Sequence, residues 1–296
     1  MKRIFYFNIT YGCNSNCVFC YSHNTRHDAK TYNEIAAVDF FAYLEMQRIT
    51  ADDRVIINGG EPFLHTEIDT ILEGLSNYGC EVLIYTNGRL LTEHDLSGLS
   101  EKYRFVIPIH GYESVHDFIT GIPGSYRDTL NGLNYLVDHT KCMVDIKIII
   151  NNKMIHEDYK GKRLICSLPK LRFNNAVHIT KMADTIVSIR NGCHSVENED
   201  AADYTALLLN YYKKRKCRIK IFDTCIKGIE FDGHYEKYKK SITVYFKDKS
   251  HYRVMNLSRR IQSCMNNCKY LDKCNSAVDE YKVLEYYEGK IFENLE

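Results

Sequence analysis

Tryptophan is absent from this chain of 296 residues, proline occurs only 4 times, and no apolar run approaches the roughly 18 residues that cross a membrane. The lack of such a run leaves no membrane among the expected partners. Neither sign of charge prevails, since 39 Lys and Arg face 38 Asp and Glu for a formal net charge of +1. With both signs scattered, a broad electrostatic surface for nucleic acid is excluded. The opening Met1-Lys2-Arg3-Ile4-Phe5-Tyr6-Phe7-Asn8 has no long apolar stretch and no small-residue cleavage site, so the chain reads as unexported and cytoplasmic. Internal repeats, low-complexity tracts and Pro/Gly-rich linkers are missing too. What remains, 45% hydrophobic and 26% charged residues, is the composition of a globular protein. The outlying number is 12 cysteines, too few to staple a chain this long and more than a cytosolic enzyme usually carries.

Short β-branched or aromatic runs predict strands over 3–9, 54–57, 81–86, 104–109, 143–150 and 177–180. Apolar residues at helical spacing predict helices over 34–49, 67–78, 126–137 and 204–216. Alternation of this kind implies an α/β fold of parallel strands with right-handed crossovers, whose chemistry lies at the carboxyl ends of the strands. The rhythm changes after residue 216. A further strand over 217–222, a hairpin of 241–246 with 251–257 and a last helix over 277–287 are expected there. The predicted division is therefore 1–216 and 217–296, the second part docking closely on the first.

Directly after the first strand stands Cys13-Asn14-Ser15-Asn16-Cys17-Val18-Phe19-Cys20, a C-x3-C-x2-C run in a loop opened by Gly12. Three thiolates this close can converge on one metal centre, and a disulfide suits neither the reducing compartment nor the odd number. Two readings stay open from these residues alone. Zinc could be held with His23 as a fourth ligand, or a four-iron cluster held by three cysteines could keep one iron open to a ligand. After the second strand comes Asn58-Gly59-Gly60-Glu61-Pro62, in which two glycines permit close backbone approach and a carboxylate can meet a cationic amine.

Together the two motifs resemble the radical S-adenosylmethionine enzymes, and the resemblance covers most of the chain. It implies a partial (β/α)6 TIM-like barrel in which Cys13, Cys17 and Cys20 hold a [4Fe–4S] cluster that chelates S-adenosylmethionine. Phe19 would then lie near the adenine, Gly59, Gly60 and Glu61 would receive the methionine amine, and Thr86-Asn87-Gly88 looks like the family's Thr-Asn-Gly. The stretch from His110 to Tyr126 is similar to the segment after the fourth strand in peptide- and sulfatase-maturing members. Two positions depart from that pattern. Pro108-Ile109-His110-Gly111 stands where relatives have Ser-Leu-Asp-Gly, and Thr120 stands where they often have Arg. His110 could replace one of the missing cofactor contacts, act on substrate or be structural, and Lys147, Lys181 and Arg127 are candidates for the cofactor carboxylate.

A second run, Cys264-x3-Cys268-x5-Cys274, lies near the C-terminus, with Cys225 before the predicted hairpin. Four cysteines around a hairpin can close a structural zinc site or a second cluster. The arrangement resembles the family's twitch appendage, a shortened SPASM domain, which implies one auxiliary [4Fe–4S] cluster on Cys225, Cys264, Cys268 and Cys274, with Cys217 competing for the first place. The extra residue between Cys264 and Cys268 departs from the usual SPASM spacing. Of the rest, Cys80 and Cys142 are expected to be small buried hydrophobes beside the strands, whereas Cys193 lies nearer the barrel mouth and is either inert or a hydrogen donor to a substrate radical.

The resemblance implies reductive cleavage of S-adenosylmethionine to a 5′-deoxyadenosyl radical that abstracts hydrogen from substrate. An electron donor such as flavodoxin or ferredoxin would supply the electron. The expected reaction is an oxidative modification, a cross-link, thioether or dehydrogenation, of a ribosomally made peptide. The alternatives are a dehydrogenase acting on a small carbohydrate or nucleotide, and a non-catalytic metal-stabilised binding protein. Because the chain begins with the first barrel strand, leader recognition is expected on another surface or a separate protein.

Overall fold

The computed structural model describes residues 3–20, 34–157, 176–182, 186–213, 218–222, 240–248, 251–259, 279–287 and 290–294. Strands and helices alternate through the first two thirds: β1 (Arg3–Asn8), α1 (Ala37–Met46), β2 (Arg54–Asn58), α2 (Ile68–Leu75), β3 (Glu81–Tyr85), β4 (Tyr103–Pro108), α3 (Glu113–Thr120), α4 (Ser125–His139) and β5 (Met143–Ile150). Then come α5 (Asn152–Glu157), β6 (Ala176–Lys181), α6 (Ile186–Arg190), α7 (Asn198–Lys213) and β7 (Arg218–Phe222). From β1 to β7 each strand pairs in parallel with the next. This is an α/β fold with a partial TIM-like barrel.

Alternation along the strands divides the side chains between two faces. Phe5, Phe7, Val55, Ile57, Val82, Ile84, Phe105, Ile107, Ile146, Ile148, Val177 and Ile179 form one buried cluster with helix residues such as Phe40, Leu44, Ile71, Leu75, Leu133, Leu136 and Leu208. Each such side chain, fully withdrawn from water, contributes about 1.5–3 kcal/mol. The intervening residues, among them Tyr85, Arg104, Asp145, Lys147, His178 and Thr180 together with Ile4, Ile56 and Val106, take the opposite, inward face, which mixes polar and apolar side chains.

The sheet continues on the other side of β1. There β8 (Lys240–Asp248) pairs in parallel with β1, and β9 (His251–Arg259), β10 (Asp279–Tyr287) and β11 (Lys290–Asn294) follow in an antiparallel meander. The hairpin predicted over 241–257 is present as β8 and β9. The helix predicted over 277–287 is not, because Asp279–Tyr287 is a strand paired with β9 on one side and β11 on the other. Its sequence, Asp-Glu-Tyr-Lys-Val-Leu-Glu-Tyr-Tyr, is rich in aromatic and β-branched residues that suit a pleated surface, and two flanking strands satisfy its backbone. The described residues between 240 and 294 are thus strands, with no helix among them. Three short helices, α3, α5 and α6, and the strand β11 are additions to the elements predicted from the sequence.

Candidate functional site

The cysteine loop leaves the carboxyl end of β1 and is held on three sides by neighbouring loops. Its backbone rests on the end of α3, where Asn16 N donates to Thr120 O at 2.8 Å and Val18 N to Ile119 O at 2.9 Å. Gly121 turns away there at φ +68, and a Cβ on it would stand 3.0 Å from Asn16 O. Asn191 Nδ2 donates to Val18 O at 3.0 Å from beyond α6. Within the loop, Cys20 N donates to Cys17 O at 3.1 Å, and Ser15 N points at Cys13 Sγ at 3.4 Å. Cys13, Cys17 and Cys20 are all half-buried.

The loop after β2 forms the second side. Gly60 N donates to Thr10 O and Glu61 N to Gly12 O, both at 2.8 Å. A Cβ on Gly59 would lie 2.4 Å from Thr10 O and one on Gly60 2.1 Å from Gly12 O. The close approach these glycines permit is therefore to the base of the cysteine loop itself. Glu61 turns inward and caps the short 3₁₀ turn Pro62–Leu64. Its carboxylate accepts from Thr86 Oγ1 at 2.6 Å, Asn87 N at 2.7 Å and Phe63 N at 3.1 Å, which locks the β2 loop to the β3 loop. Burial raises its pKa, and those hydrogen bonds, with the charge of Arg89, oppose the rise.

The β3 loop supplies the third side and a grip the sequence did not announce. Asn87 Nδ2 donates to Asn14 Oδ1 at 2.6 Å, and Arg89 Nη1 to Asn14 O at 2.8 Å. Asn14 lies between the first two cysteines, so Asn87 and Arg89 hold it by both carbonyls. The loop is itself backed by α4, where Thr129 Oγ1 donates to Asn87 O at 2.9 Å and Gly132 leaves room for Gly88 O.

His110, just past β4, is buried with its ring 5.1 Å from that of Phe19, edge to face, and 5.2 Å from that of His116. Its backbone N donates to His116 Nδ1 at 3.2 Å, so the His116 proton belongs on Nε2. Burial pushes the His116 pKa down to about 4. It pushes that of His110 well down too, aided by His116 and Lys147. Both rings are neutral at neutral pH. Among the described residues His110 Nδ1 has no hydrogen-bond partner, although it is shut off from water. A buried polar atom left in that state costs about 1–3 kcal/mol, which a ligand could return.

Other residues singled out from the sequence lie further off or play other parts. Arg127 is exposed and pairs with Glu113 at 2.6 Å. Lys147 Nζ stands over the Tyr85 ring at 5.7 Å on the inward face, and Lys181 is half-buried at the end of β6. Cys193 is fully buried in a small apolar cluster of Val115, Ile119 and Met182, against which Val18 and Phe19 pack, with its sulfur 3.8 Å from Met182 Sδ. Burial raises the thiol pKa values of buried Cys80 and half-buried Cys142 to about 11. Thr120, at the position where an Arg was expected, is buried and bonded to Ser125 Oγ at 2.6 Å, while Asp117 accepts from Gly124 N, Ser125 Oγ and Tyr126 N to fix the start of α4. His23, Cys166, Cys217, Cys225, Cys264, Cys268 and Cys274 lie outside the described residues.

Residues 7–157, just over half of the chain, match the model of the radical SAM superfamily. The chain belongs to that superfamily. Among curated proteins it is 26% identical over 227 residues to the AdoMet-dependent heme synthase of Methanosarcina barkeri, an alignment covering 75% of this chain and 62% of the relative. Among solved structures it is similar to Streptococcus suis SuiB bound to S-adenosylmethionine, with TM-score 0.58, 15% identity and coverage of 81% of this chain and 58% of that one. It also resembles anSMEcpe with bound AdoMet and the Kp18Cys peptide, with TM-score 0.51, 15% identity and coverage of 74% and 63%. The chain thus spans less than two thirds of the length of each of these three proteins.

Membership in the radical SAM superfamily implies a [4Fe–4S] cluster and S-adenosylmethionine. The residues present fit that pair. Three half-buried cysteines share one braced loop, a backbone N–H points at one of the sulfurs, and a neutral histidine nitrogen beside Phe19 has no partner among the described residues. Among the described residues no group of three His, Cys, Asp or Glu side chains closes around a single metal ion.

Proposed function

We propose that this chain is a radical SAM enzyme that carries out an oxidative modification, a cross-link, thioether or dehydrogenation, of a ribosomally made peptide. The observation that carries the reading is the braced loop of Cys13, Cys17 and Cys20 with the partnerless Nδ1 of His110 beside Phe19. When bound, the cluster and S-adenosylmethionine supply hydrogen-atom abstraction from an unactivated C–H bond. The chain's own residues hold and shield. Cys13, Cys17 and Cys20 are the ligands, and Phe19 offers its ring to the adenine. His110 Nδ1 meets a hydroxyl or carboxylate of the cofactor. Gly59, Gly60 and Glu61 hold the β2 loop where its backbone can take the methionine amine, while Thr86 and Asn87 fix Glu61. Lys147 and Lys181 are the cations on the inward face for a carboxylate. Cys193 would serve as hydrogen donor only through the apolar cluster that encloses it.

Support for a peptide substrate comes from SuiB and anSMEcpe, whose folds this chain shares and the second of which was solved with a peptide. Cys225, Cys264, Cys268 and Cys274 are proposed to carry an auxiliary [4Fe–4S] cluster in an appendage over 217–296, suited to removing the electron left on an oxidised substrate. Flavodoxin or ferredoxin would be the donor, and a separate protein would read any leader. A second reading, oxidation of a small molecule, is favoured by the likeness to a heme synthase, the more similar in sequence.

The test is anaerobic reconstitution followed by iron and sulfide counts and paramagnetic spectra of the reduced protein with and without S-adenosylmethionine. About eight irons, with one signal that shifts on adding the cofactor, is the expected result. Iron signals indifferent to the cofactor, or zinc in place of iron, would instead identify a metal-stabilised binding protein. Formation of 5′-deoxyadenosine stimulated by candidate peptides and not by sugars, nucleotides or porphyrins would separate the two substrate readings.

A further inference from the structure

Arg89 reaches into the cysteine loop with its side chain. It was not foreseen from the sequence, because it lies beyond the Thr-Asn-Gly stretch in a loop of otherwise ordinary composition. Its guanidinium donates to Asn14 O at 2.8 Å, and its own backbone N donates to Asn87 Oδ1 at 3.0 Å. Asn87 in turn bonds the Asn14 side chain at 2.6 Å. The three residues form a closed ring of hydrogen bonds around the residue that follows Cys13.

The charge balance of this ring is uneven. The Arg89 side chain is only 14% exposed, whereas Asp128, which faces Arg89 Nε at 3.4 Å, is 48% exposed. Water screens the carboxylate far more than the guanidinium, so the pair leaves a net positive field on the loop. Arg89 lies close enough to buried Glu61 and His116 to favour the ionised carboxylate and the neutral ring, with the Glu61 carboxylate as the nearest buried group of opposite sign. Arginine keeps its charge at every relevant pH, and its planar fork fixes where that charge sits.

We propose that Arg89 both positions the Cys13–Cys17 segment and raises the reduction potential of the cluster that those cysteines and Cys20 hold, with Asp128 moderating it. This rests on the cluster assignment made above. Reduction adds one electron, delivered by an external low-potential one-electron donor, and with it one negative charge on a centre already rich in thiolates. A buried cation stabilises the reduced form more than the oxidised one. It therefore eases the electron transfer that the hydrogen-abstraction chemistry requires.

Redox titration of the reconstituted protein, following the paramagnetic signal that responds to S-adenosylmethionine, tests this in wild type, Arg89→Gln, Arg89→Lys and Asp128→Asn. Arg89→Gln should disfavour reduction about tenfold, which is 59 mV for a one-electron couple. Asp128→Asn should favour reduction by a smaller factor, about threefold. Arg89→Lys should keep the potential close to wild type but lose iron faster to a chelator, because the ammonium cannot reproduce the fork. A purely structural Arg89 would lower iron retention in both Arg89 variants and leave every potential unchanged, which overturns the proposal. Equal shifts in one direction for Arg89→Gln and Asp128→Asn would overturn it as well. If Arg89→Gln holds no iron, the direction of the Asp128→Asn shift decides. A wild-type protein with no signal responsive to S-adenosylmethionine overturns the cluster reading together with this one, whereas unchanged potentials in loaded variants overturn only this one.

Discussion

The two ends of the barrel contain similar residue types in opposite electrical states. At the amino-terminal ends of the strands three ion pairs form: Arg3 with Asp53 at 2.6 Å, Arg54 with Glu81 at 2.5 Å and Arg104 with Asp145 at 2.6 Å. The Asp145 carboxylate, wholly buried, also accepts from His178 Nε2 and from Ala176 N, each at 2.8 Å. At the carboxyl ends His110 and His116 are neutral, one ring nitrogen is unsatisfied among the described residues, and Cys13, Cys17 and Cys20 are only half-buried. One end is finished as a protein interior, and the other is left incomplete in a way a ligand can complete. Polar residues inside a barrel are thus no guide to function until their partners are counted.

The sharpest way to break the comparison is to remove the open end alone. Alanine in place of Cys13, Cys17 and Cys20 should abolish the signal that responds to S-adenosylmethionine while leaving circular dichroism and the C-terminal iron in place. Loss of iron from both sites would show that the two are not independent. At the closed end, Asp145→Ala strands Arg104 and His178 without their carboxylate and should cost about 3–5 kcal/mol in urea unfolding, with little change in the spectrum of whatever cluster is retained.

Acid should separate the ends next. The folded-state pKa of His116, about 4, lies below the ordinary 6.5, so the unfolded chain binds that proton more tightly. Its contribution to stability is complete above about pH 6.5 and falls away towards pH 4, by up to about 3 kcal/mol. Urea midpoints between pH 7 and pH 5 should fall, and His116→Gln should flatten the fall; an identical pH slope in the variant would refute the assignment. The smallest effect expected is at His110. Replacement by Phe removes the stranded nitrogen and should stabilise the protein by about 1 kcal/mol while weakening S-adenosylmethionine binding about tenfold. Weaker binding without the gain in stability would mean that His110 is satisfied in the absence of a ligand.

The strands of the barrel were legible from the sequence because each is a short run rich in β-branched and aromatic residues bounded by polar and Gly signals. The strand at Asp279–Tyr287 was misread as a helix, since its polar residues interrupt the apolar pattern and its two neighbours, β9 and β11, are what hold it extended. The small helix α3 was hidden because its eight residues are too few for a clear period, and its role is to seat the cysteine loop through two backbone carbonyls that carry no sequence signal.

By itself the sequence determined the alternation of strands and helices, the loop that carries Cys13, Cys17 and Cys20, and the glycines beside Glu61. These are local matters, settled by periodicity and by spacings within a few residues. Only the tertiary structure decided that Gly59 and Gly60 make room for the chain's own backbone, that Glu61 is spent on joining two loops, and that Arg89 and Asn87 hold Asn14. Those outcomes depend on contacts between residues 25 to 75 positions apart in the chain. Whether a buried polar group is satisfied or stranded depends on such partners, and no local pattern encodes them.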